Sequence, residues 1–184
     1  MKHLQIKQLK ALSTLKDWNA KAALMKKEAA SGMVDTINWK AYSHKPDVKF
    51  YAAYTESSFS LLYDVREDAV RAVNTTSHSP VYQDSCVEFF VRRPGATTYR
   101  NFEFNCIGAA LSAVRESKAS FRHLPTEEMD TIITYTSLPK LQPIEINTPS
   151  HWQILIEIPL ILLDISESNP AGITLRANFY KCGD

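Results

Sequence analysis

Apolar and polar residues alternate with period two through most of the chain beyond Gly32. The clearest stretch runs from Asp84 to Gly108. Val87, Phe89 and Val91 alternate with Cys86, Glu88 and Phe90. After a turn around Arg93, Pro94 and Gly95, Phe102, Phe104 and Cys106 alternate with Asn101, Glu103 and Asn105. Successive side chains on a strand point to opposite faces. The pattern therefore predicts a β-hairpin with one apolar face and one polar face carrying two carboxylates and two amides. With residues 93–98 as the loop, Arg92 meets Tyr99 and Glu88 meets Glu103. Directly opposed Cβ atoms lie roughly 4.5–5.5 Å apart. Two carboxylates there repel, so a cation, a shared proton or a polar ligand must compensate.

Similar short β-branched or aromatic runs predict strands over residues 34–39, 48–54, 59–65, 69–73, 86–91, 99–106, 109–114, 129–135, 152–158 and 173–180. Leu4, Ile6 and Leu9 suggest a short first strand. Residues 15–30 are strong helix formers, with Leu15, Trp18, Ala22 and Met25 at helical spacing, Ser13 as N-cap and Gly32 as the stop. Lysines 16, 21, 26 and 27 then form the solvated face of one peripheral helix. Residues 139–151, with three prolines, read as an irregular loop, and Pro159 opens a single helical turn. Trp18, Trp39 and Trp152 read as core. The expected fold is all-β: an antiparallel, jelly-roll-like β-sandwich with a peripheral N-terminal helix. The 184 residues suit a single domain over 1–184, with 1–32 as a strand and helix packed on the sandwich.

Charge adds exclusions. Lys and Arg number 21 and Asp and Glu number 20, so there is no net field to hold nucleic acid or an anionic membrane. No signal peptide or membrane-spanning run is visible, which makes the expected location cytoplasmic. Oligomeric state is not legible. The three cysteines, Cys86, Cys106 and Cys182, lack zinc-finger or disulfide-framework spacing and read as reduced thiols. The five histidines are scattered, and Asp84 is a lone carboxylate that either caps a loop or contributes to a calcium site.

Residues 79–90, SPVYQDSCVEFF, resemble the segment of family 9 carbohydrate-binding modules that leads into a "DS-VE-F" strand. Residues 99–108, YRNFEFNCIG, resemble the strand that follows, and residues 176–184, RANFYKCGD, resemble a late strand of the bacterial carbohydrate-binding-module-9-like group. The resemblance covers residues from about 34 to the end. It implies a β-sandwich that binds sugar, often at chain ends, between two tryptophans and polar side chains. It also implies a frequent association with calcium and attachment to xylan- or glucan-degrading enzymes or polysaccharide-utilisation pathways. The family's first clamp tryptophan falls on Val81, beside Tyr82; its glutamate falls on Glu88, a sugar-bonding arginine on Glu103 and a glutamine on Tyr180.

Sugars are held by planar hydrogen-bonding groups and by aromatic surfaces that pack on C–H faces. Glu88, Glu103, Asn105, Asn178 and Arg176 supply the first kind, and Tyr82 and Tyr180 the second; Arg71 lies near enough in sequence to reach the same face. The leading expectation is non-catalytic binding of a sugar or oligosaccharide end, with no required cofactor and calcium as an option. One alternative is a scaffold or protein-interaction sandwich whose polar face is a buried network, with an arginine neutralising the glutamates. Another is a glycosidase using Glu88 and Glu103 as its carboxylate pair.

Overall fold

The computed structural model describes residues 3–37, 45–167 and 169–182. In chain order the strands are β1 (Lys7–Gln8), β2 (Ala30–Met33), β3 (Asp47–Tyr54), β4 (Ser58–Glu67), β5 (Val70–Ala72), β6 (Cys86–Arg92), β7 (Tyr99–Asn105), β8 (Ala110–Arg115), β9 (Phe121–His123), β10 (Ile133–Thr136), β11 (Ile144–Ile146), β12 (Ser150–Pro159) and β13 (Arg176–Cys182). Helix α1 spans Trp18–Glu28, and α2 is one turn over Thr126–Met129. One sheet runs β1-β3-β4-β12-β10, with β2 also paired to β3. The other runs β13-β6-β7-β8-β9, and β5 and β11 form a separate ribbon. All pairings are antiparallel except β1 with β3. The architecture is the expected antiparallel β-sandwich with an N-terminal helix.

Alternation explains the packing. On β3, β4 and β12, the inward positions are Val48, Phe50, Ala52, Leu61, Tyr63, Val65, Trp152, Ile154 and Ile156. They meet Val87, Phe89 and Val91 of β6 and Phe102 and Phe104 of β7, all buried. Phe59, Phe89 and Phe102 stack across the interior. The opposite face of the six-stranded sheet carries Tyr51, Ala53, Leu62 and Leu155, and α1 covers it with Ala22 and Met25. With that face covered, the outer face of the five-stranded sheet is the one left to carry a site.

Several elements depart from expectation. Asp17, not Ser13, caps α1: its carboxylate accepts from the Asn19 and Ala20 amides at 3.2 Å each. Gly32 lies inside β2, beyond the helix end. A Cβ there would come within 2.5 Å of the Phe50 ring across the strand pair, so a glycine is needed for space. Residues 34–37 form no strand, and residues 38–39, with Trp39, lie outside the described residues. Trp152 is fully buried, and Trp18 packs against the smaller cluster beneath α1. The region 139–151 is not wholly irregular, because the Ile144-Glu145-Ile146 alternation lets β11 pair with β5. Thr126–Met129 turns helically after Pro125, so the strand expected from 129 begins at Ile133.

The lysine face of α1 also differs. Lys21 is buried, its Nζ 2.6 Å from Glu157, and Lys26 lies 2.7 Å from Asp64. Burial alone would raise the Asp64 carboxyl, but hydrogen bonds from Lys26 and His151 outweigh it and hold it below its ordinary value. The sheet's outward acids thus draw these two lysines inward and orient the helix.

Candidate carbohydrate-binding face

The hairpin register is the one the alternation predicts: Glu88 pairs with Glu103, Phe89 with Phe102 and Phe90 with Asn101. Strand β13 adds Tyr180 opposite Glu88, Asn178 opposite Phe90 and Arg176 opposite Arg92. On the other side β8 sets Leu111 opposite Glu103 and Ala113 opposite Asn101, and His123 of β9 follows Ala113. The outer face is therefore a grid. One row reads Tyr180, Glu88, Glu103, Leu111, and the next reads Asn178, Phe90, Asn101, Ala113, His123.

The middle of the grid is deep. Glu103 and Asn101 are buried, and the Asn101 amide donates to Glu103 Oε1 at 2.6 Å. Glu103 Oε2 and Asn101 Oδ1 have no hydrogen-bond partner. Burial raises the Glu103 carboxyl above its ordinary value, and the Asn101 hydrogen bond and the charges of Arg115 and His123 offset this only in part. Glu88 is half-buried. The Tyr63 hydroxyl, reaching across the core from β4, donates to the Glu88 carbonyl at 2.8 Å and fixes that strand position.

Aromatic rings flank the polar row. Phe90 meets Tyr180 edge-on at 5.1 Å and Tyr99 at 6.1 Å. Phe121, 47% exposed, stands edge-on to His123 at 5.2 Å, with the Arg115 guanidinium 4.4 Å over its ring. The opposite end is roofed by the turn Val81–Gln83, whose buried Val81 packs with Cys86, Ala109 and Leu111. The surface is a shallow, ring-edged face. Hollows of about 310 and 460 Å³ lie beside Met33 and Lys45 and between Arg100, Phe121 and Asp164.

The structure sorts the residues singled out from sequence. Glu88, Tyr180 and Asn178 come together, with Glu103 buried beside Glu88 in the same row. Arg176 shares the face but sits opposite Arg92, four residues along β13 from Tyr180 and about 13 Å away at strand spacing. The basic side chains acting on Glu103 are Arg115 and His123 rather than Arg176. Tyr82 is 42% exposed on the roofing turn. Arg71 belongs to the separate ribbon, opposite Glu145.

Asn105 is fully buried and wholly engaged. Its amide donates to the Asn74 carbonyl at 2.7 Å and to Asp84 at 2.8 Å, and its oxygen accepts from the Ala109 amide at 2.9 Å. It braces the end of β7 and offers a ligand no free atom. Asp84 is equally committed, accepting from the Val73 and Asn74 amides at 3.0 and 3.1 Å. Both of its oxygens hold the loop that follows β5. Phe90, Tyr99, Asn101, Arg115 and His123 were missed. For Phe90 and Asn101 the signal was their parity with Glu88 and Glu103.

This fold has counterparts. The model of carbohydrate-binding family 9 matches residues 19–184. A solved structure from Bacteroides uniformis, of a protein described as carbohydrate-binding, superposes with a TM-score of 0.86 at 30% identity, covering 97% of this chain and 83% of that one. Two structures of a family 9 carbohydrate-binding module from Caldicellulosiruptor kristjanssonii are more distant. The one in complex with glucose gives a TM-score of 0.47 at 14% identity, covering 80% of this chain and 61% of that one. The one with cellotriose gives 0.48 at 13%, covering 85% and 66%. No curated protein matches the sequence. The sandwich fold and the family match together identify a carbohydrate-binding module. The chain belongs to carbohydrate-binding family 9, a family of non-catalytic modules.

Proposed function

We propose that the protein binds a sugar, or the end of an oligosaccharide, on the outer face of the five-stranded sheet, without making or breaking a bond. The observation that carries this reading is the row Tyr180–Glu88–Glu103 beside Asn178 and Phe90 on the sheet face turned away from the core. Glu88 accepts from sugar hydroxyls, and the Asn178 amide both donates and accepts. Phe90, Tyr180 and Tyr99 offer ring surface to the sugar's C–H groups. Arg176 and Tyr82 stand at opposite ends, where a longer chain would reach them. Glu103 acts from below by holding Asn101 and setting the polarity beneath Glu88. The binding mode proposed uses hydrogen bonds and ring stacking.

Isothermal titration with glucose, xylose, cellotriose and xylotriose tests the reading. Saturable heat with at least one sugar is expected. Tyr180→Ala and Phe90→Ala should each weaken binding roughly two- to tenfold, since ring contacts contribute roughly 0.5–1.5 kcal/mol beyond area burial. Absence of heat with every sugar at high protein concentration, or full affinity in both variants, contradicts it.

A further inference from the structure

The same sheet face holds two cysteines that the sugar reading does not use, beside the Glu88 that it does. Cys86 and Cys182 pair directly across β6 and β13. Glu88 lies two residues along β6, so alternation puts all three side chains on one face. Both Sγ atoms and a Glu88 carboxylate oxygen lie within 4.8 Å of one another. Cys182 Sγ stands 3.2 Å from Glu88 Oε1. Around zinc, ligand distances of about 2.0–2.3 Å give tetrahedral edges of roughly 3.3–3.8 Å. The Cys182–Glu88 edge, at 3.2 Å, lies just below that range, and the remaining edges, within 4.8 Å, contract by at most about 1 Å to reach it.

The surroundings favour a bound ion. Val81, Ala109 and Leu111 pack around the cysteine pair and form a dry wall on one side. Cys106 takes no part, because it has the opposite parity and lies near Glu67 and Lys181. Tyr63 holds the backbone of Glu88 in place.

We infer that Cys86, Cys182 and Glu88 form a three-ligand site for a thiophilic divalent cation of the zinc type. Two sulfur ligands select zinc, cobalt or cadmium over calcium and magnesium. Binding converts both thiols to thiolates and releases their two protons to solvent. Two thiolates, one carboxylate and one divalent ion leave a net charge of minus one. Three protein ligands leave a fourth position for water. The site goes beyond the sugar reading and is tested with no sugar present, so either can fail alone.

The test is cobalt titration of the full chain, kept reduced with a phosphine and followed by absorption, then competition with zinc. A single equivalent of cobalt should produce a thiolate-to-cobalt charge-transfer band, which zinc abolishes. Cys182→Ser, at the sheet edge, should lose the band while keeping its circular dichroism, and Cys86→Ala should lose it too. Cys106→Ala should retain it. No charge-transfer band in the reduced wild type, or an undiminished band in Cys182→Ser, overturns the site.

Discussion

Glu103 is the residue whose ionisation is most at odds with its place. It is buried, has one oxygen unpartnered and sits opposite a second carboxylate. Because burial raises its folded-state value, protonation favours the folded chain. Its stabilising share is complete below the unfolded carboxyl value and is lost as pH rises through the raised folded value. Glu103→Gln keeps an oxygen for Asn101 and removes the charge. It should raise Tm at neutral pH by about 2–4 °C, the effect of ~1 kcal/mol in a domain of this size. The gain should shrink as pH falls to the ordinary carboxyl range, because the wild-type side chain, raised by burial, has taken up its proton by then. Thermal melts across pH 4–8 check this. A gain independent of pH, or a loss at neutral pH, would show that the carboxylate is held by something other than Asn101, Arg115 and His123.

Strand β13 is the element that completes the face, and a buried ion pair fastens it across the sandwich. Lys181 Nζ lies 2.7 Å from Glu67 Oε2, with both side chains 3% exposed. The other Glu67 oxygen accepts from Trp152 Nε1 at 2.6 Å. Removing one partner leaves a buried charge alone, so Lys181→Met should cost about 3–5 kcal/mol. The double variant Glu67→Gln with Lys181→Met should recover much of that loss in urea unfolding; equal or additive losses would contradict the pairing. Next to it, the Phe179 ring stacks on Phe50 at 3.8 Å, and Phe50 needs the space that Gly32 leaves. The alternation of β13 was legible, because Phe179 and Tyr180 plainly differ in what they can bury. The ion pair was not. Lys181 and Glu67 are far apart in sequence, and a charged residue at an inward position reads as an exposed one until its partner is placed.

For the whole molecule, periodicity was enough to show a sandwich and the register of its central hairpin. Phe89, Phe102 and Phe104 could only face inward together, and that fixed Glu88 against Glu103. What it could not show was which sheet face stays open. That depends on α1 lying over the six-stranded sheet, drawn there by Lys21 and Lys26, whose partners Glu157 and Asp64 lie on distant strands. It depends equally on the turn at Val81 roofing only one end of the other sheet. For the same reason Asn105 read as a site residue from parity alone: its neighbours Asn74, Asp84 and Ala109 come from loops that carry no periodic signal.

Backbone amide NMR during a titration with cellotriose, repeated with glucose, reads the location of the sugar directly. Shifts are expected to cluster at Glu88, Phe90, Tyr99, Asn178 and Tyr180, with α1 and β12 unmoved. Shifts centred on α1 or on the β5–β11 ribbon, or none at saturating sugar, would place the binding surface elsewhere and contradict the account.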